Sequence, residues 1–245
     1  LDPTMTRQTI DYGIDLGTTN STVAVLAGTT TEIVTNKEGS TVTPSAIWFH
    51  KRGNQYVGRE ARARYFEDPD NAAVEFKLRM GEDWHKVFKR SGRRMSPEEM
   101  SAEVLKSLRT DVRTNKGEDL TAAVITVPAA FELPQSEATR RAAELAGFVA
   151  SPLLQEPVAA ALAYGFQSAS DKVFWLVYDF GGGTFDAAII QLRDGVIQVV
   201  NHAGDNYLGG KNIDWDIVDK LLIPRLIREH SLTDFTRSNP KWNFA

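Results

Sequence analysis

The run Asp179-Phe180-Gly181-Gly182-Gly183-Thr184-Phe185-Asp186 sets three consecutive glycines between two acidic residues, after the apolar stretch Val173-Phe174-Trp175-Leu176-Val177-Tyr178. That stretch has the length and β-rich composition of a strand buried on both faces, and the glycines let the chain turn back sharply with its amides at the surface. Amides in such a turn form an anion-binding concavity, and a carboxylate at the strand end can hold a divalent metal through water. Taken alone, the glycines are equally well a plain hairpin turn. The plan recurs at Tyr12-Gly13-Ile14-Asp15-Leu16-Gly17-Thr18-Thr19-Asn20-Ser21, followed by Val23-Ala24-Val25-Leu26. Two Asp-x-Gly hairpins about 160 residues apart predict a duplicated fold whose halves grip one polyphosphate from opposite sides.

Composition narrows the setting. The chain has 245 residues, 42% of them hydrophobic, enough for a sizeable core in one large domain or two lobes. A formal charge of −4, from 28 basic and 32 acidic residues, gives no general attraction to nucleic acid or an anionic membrane. Cysteine is absent, which rules out disulfides and thiolate metal sites and fits a reducing compartment. With no membrane-length apolar run and no signal-like start, a soluble cytoplasmic protein is expected; Leu1 to Thr4 ahead of Met5 are left out of the fold reasoning.

In chain order, the segment up to Val57 reads as a β-meander, with Ala46-Ile47-Trp48-Phe49 paired to Gln55-Tyr56-Val57 across a turn at Lys51 to Asn54. Arg59 to Phe66 has helix-forming composition. Lys77 then sits in the mostly apolar run Ala72 to Gly81, either snorkelling at a strand edge or pointing a cation into a cleft. The basic cluster Lys86, Lys89, Arg90, Arg93 and Arg94 reads as a solvated loop, since no stacking platform accompanies it. Ser96-Pro97-Glu98-Glu99 is a capping box opening a helix to about Thr114, with Met100, Val104, Leu105, Leu108 and Val112 on its core face and Gly117 at its end. Thr121 to Pro128 reads as a buried strand, Pro134 to Leu145 as a helix stopped by Gly147, and Val158 to Tyr164 as a helix entered through Pro157. Glu156 lies at the handover into that last helix, as a cap or as a site carboxylate. A loop from Gln167 to Lys172 leads to the second hairpin, whose return strand is Phe185 to Leu192, followed by a turn at Asp194-Gly195 and a strand from Val196 to Val200. Gly204 to Lys211 is a third glycine-containing loop, fit to seat an anion or to pack a helix; that helix carries Ile213, Ile217, Leu221 and Leu222 on one face.

Taken together, these stretches resemble the nucleotide-binding domain of the seventy-kilodalton heat-shock chaperones, the DnaK-like family. The resemblance rests on Gly13 to Ser21, Val127-Pro128-Ala129-Ala130-Phe131, Glu156-Pro157 with Ala159 to Ala161 and Ala163-Tyr164-Gly165, Asp179 to Asp186, and Ala203-Gly204-Asp205 with Leu208-Gly209-Gly210, in family order along nearly the whole chain. It implies an α/β actin-like ATPase (ribonuclease H-like) fold of mixed sheets flanked by helices, in duplicated lobes: residues 5–165 with a smaller subdomain inserted at about 37–115, and residues 166–245 as the beginning of an incomplete second lobe. It also implies ATP or ADP and magnesium as cofactors. Gly17, Thr18, Thr19 and Asn20 would meet the phosphates together with Gly181, Gly182, Gly183 and Thr184, while Gly209, Gly210 and Lys211 would join them from the third loop. Asp15 and Asp179 would hold the metal, mainly through its waters. Lys77 would reach the γ-phosphate, and Glu156, Asp186 and Thr184 would orient metal waters or the attacking water, as phosphoryl transfer requires.

The sequence also departs from the family pattern. Leu78 and Ser136 stand where relatives usually carry arginine, Lys211 replaces a common acid, and the segment between Gly81 and Ser96 is short. A divergent member is expected, with the relay from nucleotide to peptide in question. The adenosine-binding helix, last phosphate loop and peptide-binding domain would lie beyond Ala245, so weak binding and poor hydrolysis are expected of these residues alone. In the full protein the resemblance implies unfolded polypeptide clients, a J-domain co-chaperone and a nucleotide-exchange factor, a monomeric state, and neither nucleic acid nor membrane as partner. An actin-fold small-molecule kinase, an actin-like filament protein and a nucleotide-binding pseudo-enzyme are the competing readings.

Overall fold

Alternating apolar residues build the first hairpin: β1 (Tyr12–Leu16) and β2 (Asn20–Ala27) pair antiparallel with Ile14 opposite Val23. The computed structural model describes residues 9–164, 174–193, 196–239 and 241–242. After β2 come β3 (Thr30–Ile33), β4 (Thr43–Pro44), β5 (Ala46–Phe49), β6 (Gln55–Val57), α1 (Arg59–Glu67), β7 (Ala72–Val74), a 3-10 turn at Phe76–Arg79, β8 (Lys86–Val87), β9 (Arg94–Met95) and α2 (Pro97–Lys116). The rest comprises β10 (Val124–Val127), α3 (Leu133–Leu145), β11 (Leu153–Gln155), α4 (Glu156–Ala163), β12 (Phe174–Phe180), β13 (Phe185–Arg193), β14 (Val196–Asp205), α5 (Gly210–Ile217), a π-helical turn at Val218–Leu222 and α6 (Ile223–His230).

Strands β11-β10-β1-β2-β3 form one mixed sheet in that order, with β4 also on β2; β10 runs parallel to both β1 and β11. Helix α2 covers this sheet. Ser96 Oγ accepts the Glu99 N–H while the Glu99 carboxylate accepts the Ser96 N–H, and Gly117 closes the helix at φ 70°. A cap of this kind contributes about 1 kcal/mol. Met100, Val104, Leu105, Leu108 and Val112 then join Ile14, Leu16, Val23 and Ile125 in one core cluster. A smaller antiparallel sheet, β6-β5-β7, carries α1 against Trp48 and Ala72. The second meander, β12-β13-β14, repeats the antiparallel plan of β1-β2-β3 and packs on α4.

Several expectations are corrected. The single meander up to Val57 is divided, because β5 leaves the first sheet to pair with β6 and β7. Lys77 lies in the 3-10 turn, not at a strand edge. The basic cluster is pinned by a short hairpin, β8 with β9, rather than forming only a loop. Gly204 and Asp205 finish β14 instead of opening a loop, since β13 is long enough to pair with both. The strand expected to be buried on both faces is open on one: Phe174, Leu176 and Tyr178 are 57%, 70% and 67% exposed. Their alternation puts them on one side of β12. Ile213, Ile217, Leu221 and Leu222 are exposed as well, and their helix is interrupted by the π-helical turn just before Pro224, which has no N–H to continue the ladder. Gly165, the 167–172 loop, Val173, the Asp194-Gly195 turn and the residues before Met5 lie outside the described residues.

Candidate nucleotide site

The two glycine hairpins meet. A Cβ added to Gly182 would stand 2.5 Å from Thr19 Oγ1, so the second turn abuts the first and a side chain there would displace Thr19. The first turn, Gly17-Thr18-Thr19, is held by Ser45: its hydroxyl donates to the Gly17 carbonyl at 2.7 Å, and its N–H donates to the Thr19 carbonyl at 2.9 Å. Ser45 Oγ also lies 2.9 Å from Ser21 Oγ, which is buried. Asn20, the first residue of β2, is exposed.

The second turn is held by backbone. Within it the Gly181 N–H donates to the Thr184 carbonyl at 2.9 Å. From outside, the N–H groups of Gly210 and Lys211 donate to the carbonyls of Gly181 and Gly182, at 2.9 and 3.0 Å, while Asn212 Oδ1 accepts the Gly209 N–H. The third glycine loop is thus a packing turn, its first amides occupied by the hairpin. A Cβ on Gly209 would lie 2.4 Å from the Gly183 nitrogen, so the loop and hairpin backbones touch. What remains available on that loop is the Lys211 ammonium, 2.8 Å from Glu75 Oε2.

Acidic groups converge beneath the turns. Asp179 and Asp186 are cross-strand partners on β12 and β13, and Asp186 is buried with Oδ1 lacking a hydrogen-bond partner. Asp15, on β1, accepts from Thr126 Oγ1 at 3.1 Å. Lys77 is 5% exposed and donates to Glu156 Oε1 at 2.9 Å, with its ammonium 5.5 Å from the centroid of the Phe131 ring. Glu156 is the first residue of α4 and makes no side-chain cap, which leaves its carboxylate for Lys77.

Electrostatics ties the cluster together. Burial pushes the Glu156 carboxyl above its ordinary range; Lys77 opposes the shift, and Asp15 and Asp179 add to it. Asp179 is raised by burial and by Asp15, with Lys77 in opposition. Asp186 is raised by burial and by Asp179, against His202 and Lys77. Lys77, joined at Asp186 by His202, therefore works against a surplus of carboxylates.

That surplus fits a divalent cation. Among the described residues no three His, Asp or Glu side chains converge as a protein-built metal cage. Magnesium keeps several waters and needs only one or two carboxylates, so Asp15 and Asp179 would be enough for it, and the unpartnered Asp186 oxygen would be an acceptor for one of its waters. Lys77, Glu156, Thr184, Asp186, Asp15, Asp179 and the glycine turns lie on elements that meet here, with Lys211 at the edge. Two contributors escaped sequence reasoning. Ser45 reads as a lead into a strand, and Glu75 carries no signal except its position two residues before Lys77.

Paired Asp-x-Gly hairpins on repeated antiparallel meanders, with a buried lysine–glutamate pair beside their aspartates, make a site whose chemistry suits phosphate groups. The family model described as Hsp70 protein matches residues 11–239. The chain belongs to the Hsp70 family, and its fold is the actin-like ATPase fold, α/β with mixed sheets flanked by helices. The family's general activity is that of an ATP-binding chaperone and ATPase.

Proposed function

We propose that the chain forms the ATP-binding and ATP-hydrolysing part of a divergent DnaK-like chaperone, in which nucleotide state switches affinity for unfolded polypeptide in the full protein. The observation that carries this reading is the buried Lys77 ammonium, 2.9 Å from Glu156 and facing Asp179 and Asp186, beside the aspartates of two glycine turns that abut at Thr19 and Gly182. A buried lysine facing several acids suits a site where phosphate charge must be balanced, and phosphoryl transfer depends on positioning and electrostatics more than on a strong nucleophile.

In this reading Thr18, Thr19 and the amides of both turns hold the β- and γ-phosphates. Asp15 and Asp179 would hold magnesium, mainly through its waters, and the ion would supply positive charge for the phosphate oxygens. Lys77 leaves Glu156 for the γ-phosphate and offsets charge developing there. The freed Glu156 carboxylate, with Asp186 and Thr184, orients the attacking water. A J-domain co-chaperone, an exchange factor and a cytoplasmic setting belong to the same proposal.

Phosphate release from MgATP tests it. Lys77→Ala is expected to lower turnover by at least about a hundredfold, the scale for removing one group that stabilises transition-state charge. Unchanged turnover when that variant is made in the full-length protein overturns the reading.

A further inference from the structure

Two lysines border the candidate site, and the proposed reaction uses one. Lys77 is buried and is the lysine that acts on Glu156, Asp179 and Asp186. The other, Lys211, stands at the start of α5. Its N–H donates to the Gly182 carbonyl at 3.0 Å, so its backbone is fastened to the second turn. Its side chain then folds over the next glycine: a Cβ on Gly183 would lie 3.7 Å from Lys211 Nζ, and the same point is 3.7 Å from Thr18 Cγ2 of the first turn. The ammonium therefore sits where the two turns adjoin. Its partner there is Glu75 Oε2, at 2.8 Å, in a pair about one-third exposed on each side. Lys211, Glu75, Thr18 and Thr19 line one cavity, so a ligand on the turns meets this pair directly.

The geometry points to Lys211 as a second phosphate ligand: when a nucleoside triphosphate binds, the Lys211 ammonium leaves Glu75 and bonds an oxygen of the phosphate chain. The inference rests on the nucleotide reading above and adds a residue to its grip. Three observations favour it over a pair that only braces the two halves. A part-exposed ion pair is weak and screened by salt, so a lysine held by one is readily drawn off by a ligand carrying several charges. An ammonium has three donors and its bond to Glu75 uses one, so a phosphate can engage before that bond breaks. The first amides of the third loop are already occupied, by the Gly181 and Gly182 carbonyls and by Asn212 Oδ1, which leaves the Lys211 side chain as the loop's means of reaching a phosphate.

Calorimetry on the full-length protein with two probes tests it. MgATP and magnesium tripolyphosphate share the phosphate chain, so a cation acting on that chain should change both affinities alike. Lys211→Ala should weaken both by roughly tenfold, the scale of one hydrogen bond to a charged group. Glu75→Gln removes the competing carboxylate and should tighten both by about two- to fivefold, within what a part-exposed ion pair contributes. That gain also demonstrates that the variant folds, and it should vanish in the double variant, which should match Lys211→Ala. Binding that Glu75→Gln fails to tighten makes the pair a brace and overturns the inference. Unchanged affinity of Lys211→Ala for either probe overturns it too; a loss in Lys77→Ala then leaves the nucleotide reading standing without Lys211. Absence of MgATP binding by the full-length wild type removes the nucleotide reading and this inference together.

Discussion

The two glycine hairpins share a plan and differ in what holds them. In the first, Tyr12, Ile14, Leu16, Val23 and Val25 are each at most 5% exposed; β10 pairs alongside, and the Ser45 and Thr126 hydroxyls brace the turn and its aspartate. In the second, one side of β12 is open, and the turn is fixed by two amides from the start of α5. A phosphate turn can therefore be anchored by side-chain hydroxyls over a dry core or by backbone donors from a helix. The first arrangement resists unfolding. The second makes turn geometry depend on one glycine loop more than on burial.

The largest expected effect breaks the symmetry of the pair outright. Ile14→Ala should cost about 2–5 kcal/mol in denaturant unfolding. Leu176→Ala, at a comparable place in β12 but 70% exposed, should stay within about 0.5 kcal/mol. Equal losses would mean that both sheets are buried alike. Next, Gly209→Ala sets a methyl group against the Gly183 backbone and should weaken tripolyphosphate binding by at least about tenfold, since a shift of roughly 1.4 kcal/mol suffices for that. Gly13→Ala on β1, with nothing within 4 Å of the added carbon, should leave binding unchanged. Ser45→Ala removes the hydroxyl that holds the first turn and should cost about 1–2 kcal/mol of stability, read from the same denaturation curves.

The smallest effect concerns charge. Asp179→Asn relieves the repulsion across β12 and β13 and should stabilise the nucleotide-free protein slightly, by a few tenths of a kcal/mol up to about 1, read as a small rise in Tm. The same change should abolish the dependence of nucleotide binding on magnesium. Individual carboxylates also differ in pH response. Asp179 and Asp186 titrate above the ordinary carboxylate value when folded, so the native state binds protons more readily and their contribution to stability falls as pH rises from about 3.8 through the folded values. Asp68 behaves oppositely. Burial opposes its charge, yet hydrogen bonds from Asn71, Trp48 and Arg90, with the Arg90 charge, outweigh burial and lower its titration. Its contribution is present above about 3.8 and lost as pH falls through the lowered value. Urea unfolding of wild type, Asp179→Asn and Asp68→Asn between pH 3.5 and 6 should give slopes that change in opposite directions, a test set by linkage.

Local signals carried much of this into the sequence. The Ser96 capping box and Gly117 bound α2 because caps depend on residues within one turn of the helix. Both glycine turns were legible for the same reason. The setting of Lys77 was not, although the residue itself stood out: the 3-10 turn at Phe76–Arg79 and the partner Glu156, 79 residues away, are settled by tertiary packing. The open side of β12 was illegible as well: Phe174, Leu176 and Tyr178 have the composition of a buried strand, and exposure depends on neighbours that composition does not name. Lys211 registered as a charge reversal, but its partner Glu75 emerged only from the fold.

Glu75 repays a closer accounting. Its φ of 55° lies in the left-handed region, which costs a non-glycine residue about 1–3 kcal/mol. The ion pair it makes with Lys211 is about one-third exposed on each side, and such pairs return at most about 1 kcal/mol, less as salt rises. The contact spanning residues 75 and 211 is therefore weak enough for ordinary ionic strength to loosen it, while the backbone strain at Glu75 stays.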